Sequence, residues 1–328
     1  MVGVSRRPTR HSNCRNGPDR RWSVRAVLAL AIGGLPSTAG YAYTAAGDRN
    51  FPATLILPQV APSDAAWVPF STQPVSPSET GGTTRENQLT GTYSKTITEQ
   101  LGIQLQDGFN WFDRLGKSSA SGFQNLGVTI QYQIILDPPH EFVLSAQVAQ
   151  EFGGTGAQSV NADKQSATQP GITFAKGLGE LPIPWLRPLA VTGFAGYQFA
   201  EGAPPAPGEG AQRRPNLVSA GLSAQYSIPY LVSKVTNVDL PSFLRGMTPM
   251  VEVMYIAPAG PSYGKGTTLV VAPGVSYSNN GGWEFAIEAL IPANKATGSG
   301  VGVIAQLVVQ FDSLLPDSVV GRPLFAPR

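Results

Sequence analysis

The chain has 328 residues, enough for a large core or barrel, yet only 13% of them are charged, about half the share usual in soluble proteins. No apolar run reaches the roughly 18 residues of a spanning helix, which excludes a helical membrane protein. The formal net charge of +2 is carried by the amino terminus, so the remainder offers no basic surface for nucleic acid.

Residues 1–42 read as a secretory signal peptide. A basic leader containing Arg6, Arg7, Arg20 and Arg21 precedes a short apolar core over residues 27–35, and Gly40-Tyr41-Ala42 supplies small residues at a cleavage site. Pro36 and the Gly33-Gly34 pair argue against a lasting amphipathic helix. Without this segment the chain keeps sixteen basic and twenty acidic residues, a net charge of −4. Cys14, the single cysteine, goes with the leader, so the mature chain needs no disulfide.

Residues 43–85 form a Pro-rich arm with no sustained period. It holds at most one strand, over residues 53–57 or 65–70, and otherwise reads as an irregular arm or linker, with a plug inside a barrel as a third option. From Glu86 the pattern changes to eleven runs of alternating apolar and polar residues. Residues 124–136 set Leu126, Val128, Ile130, Tyr132 and Ile134 against Gly127, Thr129, Gln131 and Gln133. Residues 171–178 alternate less cleanly, because Lys176 falls on the oily side. Residues 216–228 alternate well, and a small helix is expected near residues 241–245. Asn280-Gly281 is a strong hairpin signal. The closing run, residues 300–311, puts Val301, Val303, Ala305, Leu307, Val309 and Phe311 on one face. Residues 312–328 form a tail beyond it.

These runs approach ten residues, the length that crosses a bilayer on a tilt; strands of a secreted sandwich average about five or six. Short connections alternate with long ones, as periplasmic turns and outer loops do. Closure needs an even number of strands, so the arm must supply one more. The expected fold is all-β, a closed antiparallel transmembrane barrel of about twelve strands, with residues 86–311 as its body and residues 312–328 in the periplasm. Aromatics are expected in two girdles, with Trp185, Tyr226, Tyr277, Trp283 and Phe311 inside, and Trp111, Phe112, Phe152, Phe199 and Tyr255 outside.

The run Glu284-Phe285-Ala286-Ile287-Glu288-Ala289-Leu290-Ile291-Pro292, followed by Gly300-Val301-Gly302-Val303-Ile304-Ala305-Gln306, resembles outer-membrane proteins labelled for a MetA pathway of phenol degradation. Residues 93–105, a strand, a Thr-Glu turn and a strand, add to the resemblance. It implies a transporter of small organic compounds, aromatic ones among them. The tail 312–328 departs from barrels that stop at their final Phe.

Little else in the chain suggests chemistry. His140 is the single histidine after residue 42 and sits in the turn Asp137-Pro138-Pro139-His140. A hydrolase would need it beside a serine in a pocket, and a metal would need more ligands than Asp137 and His140. Gly153-Gly154-Thr155-Gly156 opens no helix and reads as a flexible outer loop instead of a phosphate loop. No enzyme activity and no cofactor are expected. Function should lie in the lumen, whose candidate lining residues are Gln104, Gln131, Gln147, Gln225, Glu252, Glu284, Glu288 and Gln306. Such a wall suits small polar solutes, and three unpaired Glu would favour cations; paired with an interior Arg, they would merely hold a filled barrel. The reading is therefore a channel or transporter in the outer membrane. Its partners are outer-membrane lipid, a small-molecule solute and the insertion machinery that reads the last strand, with no nucleic acid. A structural or adhesive barrel acting through its outer loops and a barrel-embedded hydrolase are the alternatives.

Overall fold

The computed structural model describes residues 44–75, 84–114, 119–202, 213–278 and 282–325. The expected signal peptide and the Asn280-Gly281 tip lie outside the described residues. A small hairpin comes first, β1 (Thr44–Ala46) and β2 (Arg49–Phe51). The wall then follows as β3 (Ala65–Val75), β4 (Thr84–Thr96), β5 (Leu101–Arg114), β6 (Ala120–Phe123), β7 (Gly127–Asp137), β8 (Phe142–Glu151), β9 (Ala167–Gly177), β10 (Leu189–Ala200), β11 (Leu217–Tyr226), β12 (Met247–Pro258), β13 (Thr268–Ser278), β14 (Trp283–Pro292) and β15 (Gly302–Gln310).

With β6 and β7 taken together, each wall strand pairs antiparallel with its neighbours in sequence, and β15 closes on β3 from Val303↔Thr72 to Gln310↔Ala65. β6 and β7 share β5 as their partner and count as one interrupted strand, so the barrel has twelve. The added strand begins at Ala65, not at residue 53. Its two prolines hide it from a periodicity reading. The ladder from β3 to β4 skips Val68 and Pro69, where proline has no N–H to give.

Side chains alternate as a closed barrel requires. On β15, Val303 and Leu307 are exposed while Ile304, Gln306, Val308 and Gln310 are buried. Exposed apolar residues such as Ile130, Ile172, Leu222 and Ile287 continue round the outside. A contiguous belt of this kind suits lipid and is costly in water. Aromatic pairs flank it: Phe70–Trp111 and Tyr197–Phe199 at one level, Tyr277–Trp283 and Tyr93–Phe311 at the other. Phe112 does not join the outer girdle, because its even position on β5 turns it inward, where it is buried. Lys176 does face outward, but at a strand end, where it reaches the His140 carbonyl and comes within 3.9 Å of Glu180.

Both described chain ends lie at one end of the barrel with the shorter connections, here called the turn end. The connection over residues 227–246 is its longest. Its helical turns occupy Ile228–Tyr230 and Leu231–Val235, ahead of the expected 241–245, which holds only a short 3-10 turn at Leu244–Gly246. The local signal is Ser227 as N-cap, its Oγ accepting from Tyr230 N at 3.2 Å, with Pro229 in the first turn. At the loop end, residues 152–166 are ordered instead of loose. Ala157 N donates to Phe123 O at 2.8 Å, Gly156 N to Asn125 Oδ1 at 2.9 Å, and Val160 is buried.

Asp64 ties three parts of the turn end together. It accepts from Lys95 Nζ, Thr96 N and Thr96 Oγ1, each at 2.7 Å, and Lys95 also holds the tail through Arg322 O at 2.7 Å. Asp312 lies near this cluster, and burial together with the Asp64 charge pushes its carboxyl from 3.8 up to about 6. A raised carboxyl stabilises the fold fully below its unfolded value, and that contribution is lost as pH rises through the folded one. Asp312→Asn should therefore stabilise the barrel at pH 8 by about 1–2 kcal/mol, discounted for partial exposure, and leave it unchanged at pH 4. Urea unfolding at the two pH values measures the difference.

Candidate functional site

The lumen is occupied at its turn end by the chain's own arm, residues 44–64. The β1–β2 hairpin sits at the mouth, turned by Gly47, where φ is +63° and an added Cβ would stand 2.6 Å from Pro138 O. Arg49 next to it is fully buried. Its Nε donates to Glu141 Oε2 at 3.1 Å, its Nη1 to Pro188 O at 3.1 Å and its Nη2 to Arg187 O. Its guanidinium lies 3.6 Å from the centroid of the Tyr230 ring. Glu141 also accepts from Gly179 N at 3.0 Å. Burial and the Glu141 carboxylate push the Tyr230 phenol up to about 12, so it stays neutral. One arginine thus joins the arm to three separate turns. Arg49→Ala would leave Glu141 buried without its cation, a loss of about 3–5 kcal/mol. The expected result is protease cleavage within residues 44–52 of a barrel that otherwise stays folded, with the Arg49→Leu/Glu141→Leu pair restoring resistance.

Beyond Phe51 the arm has no ladder partner, so its backbone polar groups need others. The wall supplies them. Ala53 N donates to Glu284 Oε2 at 3.3 Å, Leu55 N to Glu252 Oε1 at 3.1 Å and Ile56 N to Glu252 Oε2 at 2.9 Å. In return Gln306 Nε2 donates to Thr54 O at 3.3 Å, Gln131 Nε2 to Gln59 O at 2.7 Å, Thr173 Oγ1 to Val60 O at 2.9 Å and Ser94 Oγ to Ser63 O at 2.7 Å. Apolar contacts fill the rest. Leu55 packs with Met250, Ala272, Ala286, Leu290 and Ile304, while Phe51, Val60 and Ala61 pack with Val143, Ala175 and Ala190. Gly221 leaves room for Leu57, whose Cδ2 would stand 2.2 Å from an added Cβ. The arm touches β4 and β7 on one side and β11, β12 and β14 on the other, so it crosses the bore.

The candidate residues divide accordingly. Gln131, Glu252, Glu284 and Gln306 hold the arm. Gln225 is buried with its Nε2 donating to Ser223 Oγ at 3.3 Å, and Gln104 Nε2 lies 3.5 Å from Gln131 Oε1. Gln104, Gln147 and Gln306 line a cavity above the arm. Glu288 is 1% exposed, and neither carboxylate oxygen has a hydrogen-bond partner. The three Glu are buried, and the two that have partners bind arm amides, not an interior Arg. Periodicity does not reveal the arm in the lumen, which the sequence offers only as the third option of a plug, nor Arg49, whose three-residue strand is too short to show a period. His140 is exposed in its turn, with Nδ1 2.8 Å from Asp137 Oδ2 and Nε2 3.9 Å from Glu180 Oε1. No group of three His, Cys, Asp or Glu that could hold a metal occurs among the described residues.

Above the arm lies a cavity of about 470 Å³, floored by residues 54–59. A second of about 330 Å³ adjoins it towards the loop end, sharing Gln88, Gln106, Thr129 and Gln169. The lumen is thus a filled half under a polar, open half.

This architecture overlaps an outer membrane channel from Pseudomonas putida F1, with a TM-score of 0.52 and 12% identity over 75% of this chain and 93% of that one. The NanC porin overlaps less, with a TM-score of 0.46 and 11% identity over 75% and 98% of the two chains. The transport unit of the autotransporter AIDA-I from Escherichia coli gives a TM-score of 0.44 and 11% identity over 75% and 89%. The likeness to the Pseudomonas channel is one of fold, the closed barrel of outer-membrane proteins. No protein-family model and no curated protein matches this chain in sequence.

Proposed function

We propose that this protein is an outer-membrane channel for small molecules, shut in this conformation by its own N-terminal arm. The carrying observation is that the bore is filled by a separate segment of chain. Arm side chains fill it, and wall groups that would otherwise face water bind the arm backbone. A barrel built only for rigidity would be packed by its own wall residues. The short turns and both ends of the described residues then face the periplasm and the cavity faces outside, with residues 1–42 serving as the export signal and the last strand read by the insertion machinery. The MetA-type resemblance of residues 284–292 and 300–306 supports small organic solutes as cargo. An exposed His140 with carboxylate neighbours gives no support to a hydrolase.

Planar-bilayer recording of the refolded full-length chain tests the reading. The expected trace is a mostly closed channel with discrete openings that become frequent in the Arg49→Ala variant. A correctly folded barrel that passes no current in either form overturns it and moves the weight to the outer loops.

A further inference from the structure

We infer that the cavity above the arm binds a neutral, multiply hydroxylated solute of carbohydrate type. This rests on the channel reading and names what the channel selects. Among the described residues that line the cavity none is charged, yet eight are glutamines and six are serine or threonine. The nearest acidic groups are elsewhere. Glu252, Glu284 and Glu288 are buried and absent from its lining, and Asp107 and Glu151 line only the adjoining chamber, where Glu151 is paired with Arg214. A charged solute entering this wall would lose hydration and gain no counter-charge.

The polar groups have a common character. An amide offers two donors and an acceptor, a hydroxyl one donor and an acceptor. A solute that satisfies many of them must itself donate and accept at many points, as a polyol or sugar does. A phenol, with one hydroxyl, would leave most of them unmatched. The volume of about 470 Å³ falls among small-molecule pockets, which span roughly 300–1,000 Å³.

The test uses the full-length chain in detergent, with calorimetry and tryptophan emission as readouts. The probes are sucrose, glucuronate, glucosamine and phenol. Saturable sucrose binding, at least about tenfold tighter than the other three, is expected. Gln198→Leu should weaken it by about three- to tenfold, the worth of one or two hydrogen bonds. Heat-modifiable gel mobility shows whether each variant remains a folded barrel. Gln198→Glu provides a second check, because a carboxylate placed there should raise glucosamine affinity above that of the parent. Sucrose that fails to bind, or glucuronate, glucosamine or phenol binding as tightly, overturns the inference. Conductance of a chain lacking residues 44–62 is recorded in parallel. Current without sucrose binding removes this solute class and leaves the channel, whereas sucrose binding without current keeps the site and removes the channel.

Discussion

A chain lacking residues 44–62 is expected to conduct steadily where the full-length barrel stays mostly shut. The twelve-strand wall does not depend on this segment for its ladders, since every barrel pairing lies between residues 65 and 310. What goes is the filling. The arm's side chains leave the turn-end half of the bore, and water takes their place against Glu252, Glu284, Glu288, Gln131 and Gln306. A docking free energy of about 3–5 kcal/mol would hold the undocked state below about 1% of the full-length population. Deletion therefore raises the open fraction by about two orders of magnitude or more. The emptied bore should also prefer cations, because three carboxylates then face water inside a narrow wall. Reversal potentials in a KCl gradient measure this, and Glu252→Gln, Glu284→Gln and Glu288→Gln should each reduce it. A folded, arm-free barrel that passes no current would show that something other than the arm blocks the lumen.

The second large effect is expected at Glu252. Its two carboxylate oxygens accept from Leu55 N and Ile56 N at 3.1 and 2.9 Å in the middle of the bore. An ordinary hydrogen bond contributes about 0.5–1.5 kcal/mol, and a buried N–H left unmatched costs about 1–3 kcal/mol. Glu252→Ala removes both acceptors and leaves two buried N–H groups unmatched, a loss of about 3–5 kcal/mol concentrated on the arm. Glu252→Gln keeps one acceptor oxygen and should lose about half as much. Hydrogen exchange at the Leu55 and Ile56 amides reads this directly. Protection should fall by about a hundredfold or more in Glu252→Ala and by about tenfold in Glu252→Gln. Protection at strand amides such as Val253 and Ala272 should not change. Unaltered exchange at Leu55 and Ile56 in Glu252→Ala would mean that packing alone holds the arm.

Glu288 sits beside this anchor with no partner of its own. It marks a place where the closed barrel is imperfectly satisfied. The arm is held by wall side chains, so its departure would break no ladder of the sheet.

The sequence by itself determined the wall. Period-two alternation placed the outward apolar face and the inward polar face. The parity of an even-stranded barrel required a strand from residues 43–85, and β3 at Ala65–Val75 is that strand. Parity would also have turned Phe112 inward on β5, had it been applied residue by residue. Only the tertiary structure decided what the inward face meets. Residues 53–62, Ala-Thr-Leu-Ile-Leu-Pro-Gln-Val-Ala-Pro, have neither period nor propensity to order alone. They become ordered because a closed wall surrounds them with amides, carboxylates and small residues such as Ala175, Ala272 and Ala286. The physical reason is one of range. Alternation is a local property of a strand and tells which side a residue faces, whereas the partners Glu252–Leu55 and Gln131–Gln59 are 197 and 72 residues apart. Nothing local distinguishes a glutamate that faces water from one that holds a backbone amide.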